Sequence, residues 1–529
     1  MRWLGVVALS TLAACGGGGG GGDNPAPSNP PSGGGGIQWI SGVYQPSSRF
    51  AAQCASPRFG INPRTGRAYP DVQGSTLAEN HWLRSWTHEL YLWYDEVPDL
   101  DPAAYGTLAY FELLKTSALT PSGNPKDRFH FWMSTEEFEQ QSQSGISAGY
   151  GAQFVVLAPL PPRRVVVAYT EPGSPASAAN VQRGAEILTV DGVDVVNNGT
   201  QSGVSTINAG LFPSNADEIH TFTVRDVSGT VRQVTMQSAN VVSDPVQNVS
   251  TFDTPLGRVG YMLFNEHIAT AEAELISAVQ ALRTANISDL ILDIRYNTGG
   301  YLDIASELAY MIAGPARTAG RTFERMTFNA KHPSTNPVTG QPLQPVPFHS
   351  TTVGLPGALP AGQPLPALNL QRVFVLTGPN TCSASEAIIN GLRGIDVEVI
   401  QIGSTTCGKP YGFYPADNCG TTYFSIQFRG ENDKSFGDYG DGFSPANTPG
   451  VRGVEVPGCS VADDFSRPLG DPVEGLVAAA LQYRETQTCP VPSGFSSARP
   501  QSTSAREGAP ALRAPDRPWR ENRILRSPN

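Results

Sequence analysis

Two short segments hold the residue types that nucleophilic chemistry needs. The first is Asp293-Ile294-Arg295-Tyr296-Asn297-Thr298-Gly299-Gly300, at the end of an apolar run and the start of a helical pattern. The second is Thr381-Cys382-Ser383-Ala384-Ser385-Glu386-Ala387, placed the same way, with Gly408-Lys409 downstream. A strand-to-helix turn leaves backbone N–H groups unsatisfied, with the positive end of the helix behind them. Glycines let a substrate backbone come close. Two such turns side by side make an oxyanion hole, and a serine on one of them is a candidate nucleophile. That serine needs a base. The seven histidines (His81, His88, His130, His220, His267, His332 and His349) lie in no recognisable catalytic setting, and there is no H-E-x-x-H. Lysine is the alternative. To be neutral near pH 7–8 it must come down from an ordinary pKa of about 10.4, at a cost of roughly 4 kcal/mol, which desolvation supplies. Lys409, within Cys407-Gly408-Lys409-Pro410-Tyr411-Gly412-Phe413, has small, apolar and aromatic neighbours in sequence.

The elements that position these segments are legible in outline. Residues 258–264, 289–294 and 372–377 read as buried strands. Residues 271–283 and 302–312 read as helices, the first with Leu275, Ala278, Val279 and Leu282 on one face. Such a βαβα run predicts a mostly parallel sheet. Residues 330–369, rich in Pro and Gly, read as a long surface excursion at the edge of the cleft. Upstream, Trp82, Trp86, Leu90 and Trp93 predict one helix face that Pro98 and Asp99 end, followed by a second helix near 104–116 and a third starting at Ser134. The aromatic stripe reads as core. Between these regions, Gly149 to Phe154, the strand 165–169, Pro172-Gly173-Ser174-Pro175-Ala176 and Gly184-Ala185-Glu186-Ile187-Leu188-Thr189-Val190-Asp191-Gly192 resemble a PDZ domain of the bacterial protease type. That resemblance implies a peptide-binding loop at Tyr150, Gly151, Ala152, Gln153 and Phe154, with a peptide C-terminus adding as a strand. Ala185-Glu186 departs from the usual Asp after the glycine.

DIRYNTGG, TCSASEA and the downstream GK, preceded by a PDZ-like stretch and a helical region, resemble the C-terminal processing (tail-specific) serine peptidases over about residues 80–460. The resemblance implies an α/β crotonase-like (ClpP/crotonase-type) core with an inserted PDZ domain, a partly open β-barrel plus helices, and an N-terminal helical region. It implies Ser383 as nucleophile, Lys409 as general base, and an oxyanion hole from Ala384 with Gly299 or Gly300. It also implies acyl-enzyme hydrolysis of protein substrates recognised by their C-terminal tails, without metal or cofactor. Gly442-Phe443-Ser444-Pro445 resembles the family's Gly-Ile-x-Pro element. One departure is Phe413, where relatives often carry a glutamine that holds the lysine. Gln401, Gln427, Ser385 and Thr406 are candidate substitutes, and a Ser-His arrangement using His88 is the alternative base. If Ser383 and Lys409 touch, Cys382 and Cys407 are neighbours, so Cys407 is expected to bridge to Cys382 or to Cys419. The competing reading is a non-catalytic ligand- or peptide-binding protein on the same fold.

Composition narrows the setting. Lys+Arg 36 against Asp+Glu 47 gives a net charge of −11, against a nucleic-acid partner, which needs a basic stripe. Arg2, the apolar run 3–12 and Leu12-Ala13-Ala14-Cys15 resemble a bacterial lipoprotein signal with Cys15 as the lipidation site. Residues 16–36, GGGGGGGDNPAPSNPPSGGGG, read as a tether of about 25 Å root-mean-square reach. By resemblance to enteric lipoproteins, Gly16 after the cysteine implies the outer membrane, facing the periplasm. The remaining six cysteines (Cys54, Cys382, Cys407, Cys419, Cys459 and Cys489) suit disulfides in an exported chain. Glu431, Asp433, Asp438 and Asp441 match no calcium loop and read as an exposed acidic loop. Residues 490–529 hold seven Arg against three acidic residues and read as a solvated basic tail. The expected division is 1–14 signal, 15–36 tether, 37–144 helical region, 145–245 PDZ-like domain, 246–489 peptidase domain and 490–529 disordered tail.

Overall fold

The apolar runs assemble into one six-stranded sheet. Its order is Val246–Thr254, Gly257–Phe264, Asp289–Asp293, Arg372–Thr377, Glu398–Gly403 and Gly458–Ser460. The first two strands form an antiparallel hairpin and every later pairing is parallel. Alternate side chains feed two cores. Met262, Phe264, Leu290, Leu292, Val373, Val375 and Val399 face the larger one, beneath the helices Ala271–Thr284, Leu302–Ala313 and Ala384–Gly394. Val259, Tyr261, Leu263, Ile291, Phe374, Leu376, Ile400 and Ile402 face the other, under the helix Gly475–Thr486. Burial on both faces explains why these strands read as unbroken apolar runs rather than alternating ones.

The computed structural model describes residues 37–62, 66–355, 359–451, 453–491, 510–512 and 523–524. The signal, the tether and Cys15, like most of 490–529, lie outside the described residues. A single unit runs from Trp39 onward, and no helix among the described residues is long and apolar enough to cross a membrane.

Residues 145–245 form an antiparallel sheet in the order Val231–Gln237, Ile219–Arg225, Glu186–Val190, Arg164–Thr170 and Ala152–Ala158. The helix Gln201–Leu211, capped by Thr200 on Gly203 N, packs into its core. Arg183 joins this unit to the main sheet. Its guanidinium donates to the Tyr296 hydroxyl at 2.6 Å and to Asp463 at 2.6 Å.

The N-terminal helix runs over Thr76–Leu90, with Ser75 as its cap, and buries Trp82 and Trp86 as core. Trp93 does not extend it. The chain turns extended at Tyr91, where Leu92 N donates to Ile426 O and the Tyr91 hydroxyl to Asp127, both across to other segments. The second helix is shorter than expected, Thr107–Leu113. The 330–369 excursion is clamped rather than loose. Val346–Pro347 pairs with Thr322–Phe328, Leu368 N donates to Met311 O, and Phe348, Leu355 and Leu365 are buried.

Among the described residues three disulfides close the chain: Cys54–Cys419, Cys382–Cys407 and Cys459–Cys489. Of the two expected partners Cys407 takes Cys382, and Cys419 is taken by Cys54. The supposed acidic loop is dispersed into separate contacts. Asp433 pairs with Arg321, Glu431 with Arg429, and Asp441 accepts from Thr120.

Candidate active site

Ser383 is the N-cap of the helix Ala384–Gly394, at φ 58° and ψ −110°. A non-glycine residue there carries strain of order 1–3 kcal/mol and must be held in place. Glu386, at the third helical position, does the holding, and Ser383-x-x-Glu386 forms a complete capping box. The Glu386 carboxylate is fully buried and gathers four donors. Oε2 accepts from Ser383 N at 2.9 Å and Lys409 N at 2.8 Å, while Oε1 accepts from Gly408 N at 2.8 Å and Thr406 Oγ1 at 2.5 Å. Burial pushes this carboxyl up from its ordinary value, and the four donors act in the opposite direction. One oxygen thus ties the backbones of Ser383 and Lys409 together. The Cys382–Cys407 bond, with Cα atoms 5.2 Å apart, ties the same two segments a second time.

Lys409 is fully buried. Its Nζ lies 4.4 Å from the centre of the Phe129 ring and 4.9 Å from that of Phe413. Gly408 before it has φ 84°, and a Cβ there would come within 2.4 Å of Gly440 O, so the approach requires glycine. Tyr411–Gly412 pairs with Phe428–Glu431 and fixes the chain just past the lysine. Phe413 places an aromatic ring where a glutamine was sought. Each candidate substitute has other partners. Gln427 exchanges hydrogen bonds with the Tyr414 backbone, and Gln401 donates to Thr377, Ser404 and Phe443. Thr406 serves Glu386, and Ser385 Oγ donates to Asn297 O at 2.9 Å.

The Gly-Gly turn is held by Asn297. Its Oδ1 accepts from Gly299 N at 3.0 Å and lies 2.9 Å from His267 Nδ1, while its Nδ2 donates to Phe264 O. Gly299 N–H is therefore spent inside the turn, which removes it as an oxyanion donor. Gly299 O and Tyr301 N bond to the His267 backbone. Because successive backbone groups point to opposite edges of an extended chain, Gly300 N–H faces the other way. Ala384 is the first helical residue, so its N–H stands outside the helix's own ladder.

His88 is engaged with Tyr44 and Lys331. Its ring stacks on Tyr44 at 3.6 Å, both ring nitrogens lie within 3.0 Å of Lys331 Nζ, and burial beside Lys331 holds its pKa down to about 4. His267, passed over in the sequence, sits on the Gly-Gly turn, and burial pushes its pKa down to about 3. Arg128 and Phe129 were also missed. Arg128 donates to Cys407 O, and Phe129 roofs Lys409. Only Glu386 left a signal, the S-x-x-E spacing. Among the described residues Cys382, Glu386 and Cys407 gather within 4.8 Å, but the two sulfurs are bonded to each other and offer no thiolate.

In the 145–245 unit, Tyr150 is buried with its hydroxyl on Gly210 O. Gly151, at φ 73°, packs under Ser174, and Ala152, Gln153 and Phe154 open the edge strand Ala152–Ala158.

Residues 258–412 match the model of Peptidase family S41. A Carboxyl-terminal-processing protease of Picosynechococcus sp. (strain ATCC 27264 / PCC 7002 / PR-6) is 28% identical over 169 residues, 32% of this chain and 39% of that protein. Carboxyl-terminal-processing peptidase 3, chloroplastic, of Arabidopsis thaliana is 22% identical over 318 residues, 58% of this chain and 52% of that protein. The chain thus spans about half or less of the length of these relatives. Among solved structures, a protein of Bacteroides fragilis NCTC 9343 assigned to the S41 proteases is similar in fold, with a TM-score of 0.57 and 22% identity over 82% of this chain and 100% of that one. Residues 258–412, which hold both turns and Lys409, are thus the part of the chain that is similar to peptidase family S41.

Proposed function

We propose that the chain is a serine endopeptidase of the cell envelope that uses a Ser383–Lys409 dyad. The observation that carries this is the Glu386 carboxylate, whose Oε2 accepts from the backbone N–H of both residues at 2.8–2.9 Å and so holds the two backbones side by side. A buried amine among aromatic rings is the setting in which lysine works as a base. In the proposed reaction Ser383 Oγ attacks a peptide carbonyl and gives its proton to Lys409 Nζ. The oxyanion is met by the Ala384 and Gly300 N–H groups. The ammonium returns the proton to the leaving amine, and water then releases the acyl group.

The 145–245 unit is read as a PDZ domain, with Ala152–Ala158 as the edge to which a peptide's C-terminal stretch adds. Two relatives named carboxyl-terminal-processing enzymes support protein tails as the substrate class. Three disulfides support an oxidising compartment, and the Cys15 signal supports a lipid anchor there.

Cleavage of a fluorogenic peptide library by the native chain, Ser383→Ala and Lys409→Ala is the test. Each variant is expected to lose at least about 10³-fold in kcat/KM. Activity kept in Lys409→Ala would refute the choice of base. Peptide binding with no turnover in the native chain would leave the binding-protein reading.

A further inference from the structure

Two pieces of the basic tail are docked, which the solvated tail expected from composition does not explain. Leu512 is buried within the core of the 145–245 unit, in one cluster with Phe154, Ile207 and Leu211. Its N–H donates to Pro159 O at 2.9 Å, and Arg163 donates to Pro510 O at 2.6 Å. Further on, Arg523–Ile524 forms a strand parallel to Gly300–Tyr301, in the register Gly300 with Arg523 and Tyr301 with Ile524. Its Cα atoms also come within 8 Å of those of Tyr411–Gly412, the strand two residues past Lys409.

The strand lies on the edge of the turn that matters. His267 takes Gly299 O and Tyr301 N, so the opposite edge, where Gly300 presents its N–H and C=O, is the one facing Arg523. A backbone paired there covers the oxyanion donor left after Gly299 is spent on Asn297. Charge favours association of the tail with the rest of the chain. The last 40 residues carry a net +4, leaving the rest of the chain near −15.

We infer that the Gly300–Tyr301 edge is a polypeptide-binding subsite that takes an extended segment by strand addition, and that the chain's own Arg523–Ile524 is its resident ligand. Leu512 anchors the tail on the PDZ-like unit while Arg523–Ile524 pairs with the Gly300–Tyr301 edge, so that edge is occupied by an intramolecular competitor of substrate. This rests on the peptidase reading for its effect on rate, but not for the docking itself.

The test uses the full chain with Leu512→Asp and Ile524→Pro, singly and together. A buried carboxylate cannot replace Leu512, and proline removes the N–H that a parallel ladder needs. The double variant is expected to cleave peptide substrates at least tenfold faster than the native chain. A synthetic peptide of residues 508–529 is expected to inhibit it competitively. Fluorescence anisotropy of that peptide, labelled, on Ser383→Ala with and without the two tail changes reads docking without turnover. Binding only when the resident segment is weakened supports the inference even if neither chain cleaves anything, which would then count against the peptidase reading alone. Ile524→Pro acts on the strand paired with Gly300–Tyr301 and not on the 145–245 unit, so it remains informative if Leu512→Asp unfolds that unit. Equal rates in native and variant chains, together with no binding of the peptide to the doubly changed chain, would overturn the inference.

Discussion

At the scale of single residues, the site turns on a carboxylate that performs no chemistry. Glu386 Oε2 accepts from Ser383 N and Lys409 N, and Oε1 from Gly408 N and Thr406 Oγ1. Replacing it with glutamine keeps one acceptor and turns the other position into a donor facing N–H groups. Glu386→Gln is therefore expected to lower kcat by about 10²-fold or more with little change in KM, because it acts on the placing of Ser383 and Lys409 rather than on substrate binding. Glu386→Ala orphans four buried donors and is expected to cost about 3–5 kcal/mol in urea unfolding. A Glu386→Gln variant with native kcat would show that the disulfide alone suffices. The S-x-x-E spacing made this residue readable in the sequence, because a capping box is local. Asn297, His267 and Phe129 were not readable as site residues. Asn297 acts through its side chain on a turn already ascribed to its glycines, and Phe129 reaches Lys409 from 280 positions upstream. No spacing records a contact of that kind.

At the scale of elements, strands and helices of the catalytic sheet were legible because burial on both faces leaves long apolar runs. The 330–369 strap was not, since backbone hydrogen bonds to side chains hold it and leave no period. Two carboxyl groups on neighbouring helices do part of that work. Val353 N donates to both Glu272 and Glu307 at 3.1 Å, and Leu359 N to Glu272. Burial, with Glu272 and Asp303 beside it, pushes the Glu307 carboxyl up to about 10 from its ordinary 4.5. A group whose folded pKa is raised stabilises the fold fully below its unfolded value, and that contribution is lost as pH rises through the folded one. Stability is therefore expected to fall between about pH 5 and pH 10 as the shared proton becomes harder to keep. Thermal melts at pH 6 and pH 9.5 would show it. Glu307→Gln, neutral throughout, should flatten the dependence, and an unchanged slope in that variant would assign the effect elsewhere.

At the scale of the whole molecule, the N-terminal region belongs to the site rather than preceding it. Phe131–Ser134 pairs with Thr421–Phe424 of the catalytic region, Arg128 donates to Cys407 O, and Phe129 covers Lys409. This assembly is locked by Cys54–Cys419, which joins residues 365 apart in sequence, with Ala52 N on Asn418 Oδ1 and Arg58 on Asp417 beside it. Closing so long a loop in the unfolded chain removes more entropy than the 25-residue separation of Cys382–Cys407 does, roughly 6 against 3.5 kcal/mol by the chain-entropy relation. Sequence spacing left Cys407 open to Cys382 or, across a short hairpin, to Cys419, and gave no sign of Cys54, because it cannot weigh a contact made by two distant segments. Cys54→Ser with Cys419→Ser is expected to lower unfolding stability by about 3–5 kcal/mol, and by more than the Cys382→Ser, Cys407→Ser pair does. If the bridge also holds Phe129 over Lys409, the same variant should lose activity at temperatures well below its melting point. Measuring kcat/KM and urea midpoints on both pairs separates the two roles. A variant with a lower midpoint and native activity would mean that the strand pairing at Phe131–Ser134 seats Phe129 without help from the disulfide.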